Sequence, residues 1–176
     1  LEPTDFSEAF RHGLKYEIGH QAPLNSLGDG AGWTELNYLS NVTPQKEAVN
    51  SGVWRSLEAW EEKLISNKQF SEVYVVTGQL YLMAMKPLPK ADKEHIVPSG
   101  YWKVLAVEQR EGMIFAAFII PQSHRAGTKN FCGYRASIDD IEQATGMDLF
   151  PDMATADARV VEPEMGGDAA PILGCR

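Results

Sequence analysis

The feature that most constrains this chain is an apolar stripe in residues 50–66. Val53, Trp54, Leu57, Trp60 and Leu64 recur at i, i+1, i+4, i+7 and i+11, which is one face of a 3.6-residue helix. Leu36–Ser40 reads as a short strand. Asn41–Gln45 reads as a loop in which Thr43 and Pro44 stop that strand, and the helix runs from about Asn50 to Ser66. Asn50 at its start suits an N-cap. Glu58 follows two turns later, rotated by only about 80° at roughly 100° per residue. An amide oxygen and a carboxylate then face one site from one element; the alternative is a cap and a solvated glutamate.

The rest of the chain supplies strands. Val73–Thr77, ended by Gly78, is a β-branched run expected as a buried strand. Residues 79–95 form a long loop holding Pro87 and Pro89. Tyr101–Val107 and Met113–Ile120 are neighbouring strands joined by a polar turn at Gln109–Gly112, and the second, apolar on both faces, belongs inside a sheet. Residues 122–131 are a basic loop with Arg125 and Lys129. Ser137 and Asp140 form a capping box before a short helix at Ile138–Thr145, with Gly146 as its C′ residue. This order predicts an α+β fold with a mainly antiparallel sheet, in a single domain over 1–176 whose residues 151–176 are a loop-rich tail.

Charge and motifs narrow the chemistry. The net charge of −8 gives no overall attraction to nucleic acid, so any phosphate site needs local cations or a metal. Arg11, His12 and Lys15 are one such local group. No apolar run reaches the ~18 residues of a membrane span, so no membrane partner is expected. Nothing reads as a signal peptide, and a start without Met points to a processed or trimmed product. Glycine-rich phosphate loops, zinc-type Cys/His spacing and a serine nucleophile elbow are all lacking. Cys175 follows a Pro- and Gly-rich tail. A bond to Cys132 would close a loop of about 44 residues, worth roughly 4 kcal/mol in the chain-entropy model, and would imply an oxidising compartment. Two unrelated thiols are the alternative. His20, between Gly19 and Pro23, sits in extended or turned backbone, as either a structural histidine or a general base.

Several stretches, in one order, resemble the DNA/RNA non-specific endonucleases of the ββα-metal type. They are Gly19–Leu24, Leu36–Lys46, Trp54–Glu58, Val75–Gly78, Tyr101–Val104, Ala116–Phe118 and the two cysteines, and together they cover almost the whole chain. The resemblance implies a ββα-metal nuclease fold and hydrolysis of DNA and RNA phosphodiesters with low sequence specificity. It implies one Mg²⁺ ion, with Mn²⁺ as the alternative. It makes His20 the general base, Asn50 the metal ligand, Glu58 the holder of a metal-bound water and Asn41 a neighbour of the scissile phosphate. It also implies a Cys132–Cys175 disulfide and a secreted or periplasmic protein. Gln45, Lys46 and Arg55 are candidate substrate contacts.

The chain departs from the family pattern at three places. The family signature Asp-Arg-Gly-His reads Glu17-Ile18-Gly19-His20 here, without the phosphate-holding arginine. A second basic position, one turn after Glu58, is Glu62. N-terminal strands of the family sheet are expected to be missing, so a homodimer or a separate N-terminal fragment is an expected partner. These departures keep a second reading open, a catalytically weakened nuclease-like nucleic-acid-binding protein.

Overall fold

The computed structural model describes residues 8, 10, 15–66, 70, 72–109, 112–151, 158–159 and 175. Strand β1 (Tyr16–His20) pairs antiparallel with β2 (Val42–Lys46), with Ile18 opposite Pro44. Between them lie a one-turn helix α1 (Leu24–Leu27) and a 3₁₀ turn at Trp33–Asn37. The expected strand at Leu36–Ser40 is thus a correction: that segment is turn, and the strand is the stretch containing Pro44. Proline is tolerated because, among the described residues, the ribbon has two strands and the outer edge of β2 needs no ladder donor. The Pro44 carbonyl on that edge accepts from Gln122 Nε2 (2.8 Å) and Tyr101 Oη (2.8 Å), while Gln122 Oε1 accepts from the Lys46 N–H (3.0 Å). Gln122 is fully buried. Its amide acts as a surrogate peptide that bonds the ribbon to the main sheet.

A seven-residue π-type turn at Ala48–Trp54 leads into helix α2 (Arg55–Ser66), and Gly52 is non-helical within it (φ −103°, ψ −110°). Asn50 therefore lies inside the turn and is not the N-cap. A kink separates it from Glu58, where the spacing predicted one continuous helix.

The main sheet has the order β3-β4-β5-β6, formed by Val73–Leu80, Gly100–Gln109, Gly112–Pro121 and Arg135–Ala136, all antiparallel. A short β7 (Ala158–Arg159) pairs with β5 in parallel. β5 is central, as its two apolar faces predict. Among the described residues β3 is an edge strand with one neighbour, and Tyr74 and Val76 turn outward, so the expectation of a buried strand is corrected.

Alternation along β4 sends successive side chains to opposite faces. Tyr101 and Leu105 meet Val53, Trp54, Leu57 and Leu64 of the helical stripe. Trp102, Val104 and Ala106 meet Ile138 and Ile141 of α3 (Ile138–Thr145) on the other face. Each layer covers one side of the sheet, the usual solution for an α+β domain. α3 carries the expected Ser137–Asp140 capping box and ends on Gly146 in the left-handed region (φ 72°).

Cys132 and Cys175 are joined, at a sequence separation of 43, and pack with Trp60 and Phe131 against the α2 side of the core. Most of the expected tail, 151–176, lies outside the described residues, and so does Arg11. Removing the bond by Cys175→Ser is expected to lower unfolding stability by about 2–4 kcal/mol. Urea melts of the oxidised protein and the variant would measure this, and coincident curves would refute it.

Candidate active site

β1 carries the first half of the site. His20, half-buried at the end of the strand, donates from Nε2 to Asn37 Oδ1 (3.1 Å). A ring that donates from Nε2 keeps its lone pair on Nδ1, so the base end of the imidazole is defined. Gly19 precedes it because the Gln45 side chain lies on that backbone: a Cβ at residue 19 would sit 2.1 Å from Gln45 Oε1. Gln45 is 0% exposed, so the structure corrects its expected place among substrate contacts; it supports Gly19 from beneath.

Asn41 is occupied by backbone. Its Oδ1 accepts from the Ala22 N–H (2.8 Å), and its Nδ2 donates to the carbonyls of Ala22 (3.1 Å) and Leu36 (2.8 Å). The Asn41 carbonyl also accepts from the Gln21 N–H (2.9 Å). These bonds tie the segment after His20 to the turn that presents Asn37. The residue expected beside the phosphate therefore holds the two loops, and Asn37 is the asparagine on the histidine. Asn37 carries a sequence signal for that role, being a polar residue inside the short apolar run Leu36–Leu39, and it lies in a turn where a strand was expected.

The second half comes from the turn into α2. Asn50 Nδ2 donates to Glu17 Oε2 (2.9 Å), and Ser51 Oγ donates to the same oxygen (2.8 Å). A carboxylate only accepts, so the amide nitrogen faces Glu17 and Oδ1 turns away from it. Glu17, seen in the sequence only as a departure from aspartate, is the residue that orients Asn50. Among the described residues no three His, Cys, Asp or Glu side chains converge as a metal cage. The donor set fits a hydrated hard cation, since Mg²⁺ keeps several waters and needs few protein oxygens.

Glu58 sits one turn into α2. Burial raises its carboxyl from 4.5 to about 7, opposed chiefly by Lys103 and raised further by Glu61 and Glu62. The Trp54 indole N–H also favours the ionised form, although it meets no acceptor within hydrogen-bond geometry. Lys103 comes from β4, on the face turned to α2. Its ammonium donates to Glu61 Oε2 at 2.6 Å, with both side chains almost wholly buried, and lies 5.0 Å from the Trp54 ring centroid. Arg55 is exposed at the start of α2, and Lys46 is half-buried at the end of β2.

The two positions where the family pattern has a cation lie on β1 and α2. Ile18 is 50% exposed on β1, two residues before His20, and Glu62 is half-buried on α2. Neither supplies a cation.

A strand–strand–helix unit thus carries a histidine on β1 and an asparagine and a glutamate on the helical arm, and the Glu17–Asn50 bond ties that arm to β1. The sequence profile of the family described as DNA/RNA non-specific endonuclease matches residues 2–156. The chain is 40% identical to a nuclease of Serratia marcescens over 177 aligned residues, covering 100% of this chain and 65% of that protein. It is 28% identical to human mitochondrial endonuclease G, over 80% of this chain and 50% of the relative. It is 31% identical to the mitochondrial nuclease EXOG of Xenopus laevis, over 80% of this chain and 42% of the relative. The chain thus spans between 42% and 65% of the lengths of these relatives. A solved chain from the complex of EndoG with EndoGI has the same fold, with a TM-score of 0.69 at 21% identity, covering 91% of this chain and 67% of that one. A profile match across nearly the whole chain, on a strand–strand–helix unit carrying His20, Asn50 and Glu58, means that this protein belongs to the DNA/RNA non-specific endonuclease family.

Proposed function

We propose that the protein is a divalent-metal-dependent endonuclease that hydrolyses DNA and RNA phosphodiesters with little regard for base sequence. The observation that carries this reading is the Glu17–Asn50 hydrogen bond, which commits the amide nitrogen and leaves the oxygen for a hard cation. Mg²⁺, or Mn²⁺ in its place, would offset the charge that develops on the phosphate and the departing oxygen. His20 Nδ1 takes the proton of the attacking water, with Asn37 holding the ring. Glu58, when ionised, accepts a hydrogen bond from a water of the site and so orients it. Asn41 acts at a distance, by fixing the loops that carry His20 and Asn37. Lys46 and Arg55 meet substrate phosphates. None of these groups reads a base edge, so low sequence specificity follows. The disulfide supports an extracytoplasmic site of action, where such bonds persist.

The test is nicking of supercoiled plasmid and digestion of RNA, each with Mg²⁺, with Mn²⁺ and with chelator. Metal-dependent relaxation of the circle followed by smearing is the expected result. Intact plasmid with both ions would refute the proposal.

The weakened-binder reading draws on Ile18 and Glu62, which stand where family members carry cations. It has a direct test. Because Ile18 is exposed, an arginine there needs no burial of charge, and Ile18→Arg is expected to fold normally. A restored charged phosphate contact is worth about 1.5–3 kcal/mol, so KM on duplex DNA should fall by about 10-fold or more. A stable variant with unchanged kinetics would show that this position does not face the phosphate.

A further inference from the structure

Three lysines from separate segments converge away from His20. Lys15 at the start of β1, Lys46 at the end of β2 and Lys129 on the loop after β5 line one cleft of about 350 Å³, together with Glu47 and Ser51. Ser51 is also the residue that shares Glu17 with Asn50, so the cleft adjoins the candidate metal-binding corner. Among the described residues no carboxylate forms an ion pair with any of the three lysines. In a protein of net charge −8 this is a local excess of positive charge, three ammonium groups against the one carboxylate of Glu47, and cleft walls of low dielectric focus its field.

The backbone under each lysine is held. Lys15 adopts a left-handed conformation (φ 58°), uncommon for a residue with a side chain, and its carbonyl accepts from the Glu47 N–H (2.9 Å). The Lys46 N–H is bonded to buried Gln122. The Lys129 loop is anchored by buried His124, which donates from Nε2 to the Thr128 carbonyl (3.1 Å) and accepts at Nδ1 from Tyr134 Oη (2.6 Å). Flexible ammonium heads on fixed stems suit a polyanion whose charges recur along its length.

We infer that this cleft is a second phosphate subsite, which holds the sugar–phosphate backbone of the nucleic acid several nucleotides from the bond that is cut. The five residue steps from Lys15 along β1 to His20 span about 16 Å, which sets that offset. The inference rests on the nuclease reading for the identity of its ligand. It also explains how a chain with Ile18 and Glu62 in place of two cations holds its substrate: the grip has moved along the polymer.

The experiment separates this subsite from the catalytic centre. Binding of a duplex oligonucleotide is measured with chelator present, across a range of salt, for the wild type and for Lys46→Gln, Lys129→Gln and Glu47→Gln. Lys129 is exposed, so its variant folds whatever happens at half-buried Lys46. Each lysine variant is expected to weaken binding severalfold and to reduce the slope of log K against log salt by roughly 0.9. Glu47→Gln should tighten binding, because it removes the one carboxylate in the cleft. On polymer DNA with Mg²⁺ Lys129→Gln, whose residue has no part in the catalytic centre, should raise KM and leave kcat unchanged. Hydrolysis of bis(p-nitrophenyl) phosphate, too short to reach the cleft, should not change; Lys86→Gln, an exposed lysine elsewhere, should change neither. Unchanged slope and KM in a wild type that cleaves would overturn the subsite while leaving the nuclease reading standing. A wild type that fails to hold the duplex in chelator would also overturn it. Equal losses on polymer and on the small phosphodiester would assign these lysines to the centre itself.

Discussion

Replacing His20 by alanine is expected to lower phosphodiester cleavage by roughly 100-fold or more, the usual loss when a general base is removed. The fold should survive. His20 is half-buried and makes one side-chain hydrogen bond, to an exposed asparagine at 3.1 Å, so the loss to stability is about 1 kcal/mol or less. Asn37→Ala should give a smaller loss of activity, because the ring keeps its Nδ1 lone pair and loses only its restraint. The same plasmid assay with matched thermal melts checks both. Near-normal cleavage by a folded His20→Ala protein would remove this residue from the mechanism, and another proton acceptor would have to be found.

Lys103→Met is expected to produce the largest change in stability, about 3–5 kcal/mol, because it leaves Glu61 buried without its cation. It should also move the pH dependence of cleavage. In the folded protein Glu58 titrates near pH 7 and the unfolded chain near 4.5, so between these values only the folded form still holds the proton. The stability that this carboxyl contributes is therefore complete below about pH 4.5 and lost as pH rises to about 7. Lys103 is the main influence that pulls Glu58 down. Without it, the acid limb of the pH–rate profile should shift to higher pH if ionised Glu58 is required.

The double variant Lys103→Met, Glu61→Leu separates the two effects. Replacing a buried pair by apolar side chains is often neutral or stabilising, so the fold should recover. The acid limb should remain displaced, because Lys103 acts on Glu58 more strongly than Glu61 does. Full recovery of the wild-type profile along with stability would show that Lys103 matters only for packing.

The parts of the protein legible in its residues are those set by near neighbours. The stripe Val53–Leu64, the hairpin of β4 and β5, and the Ser137–Asp140 box each follow from side-chain period or from a cap a few residues long. Gly19 and Pro23 marked His20 only as lying in extended or turned backbone, which is how it sits at the end of β1; its role as a base came from the resemblance. Asn50 and Glu58 are paired by resemblance and spacing, although the kink at Gly52 means that one continuous helical rotation does not relate them.

The tertiary structure alone decided what each of these groups touches. Glu17 meets Asn50 across 33 residues, Lys103 meets Glu61 across 42, and Gln122 meets Pro44 across 78. A lysine inside a strand has the same local sequence whether it reaches solvent or a buried carboxylate, and a glutamine in a loop does not announce that it will close a ribbon onto a sheet. Such pairings depend on where chain closure brings distant segments, which local propensity does not encode. For the same physical reason Lys15, Lys46 and Lys129 were three scattered cations in the sequence and became one cleft only when β1, β2 and the loop after β5 came together.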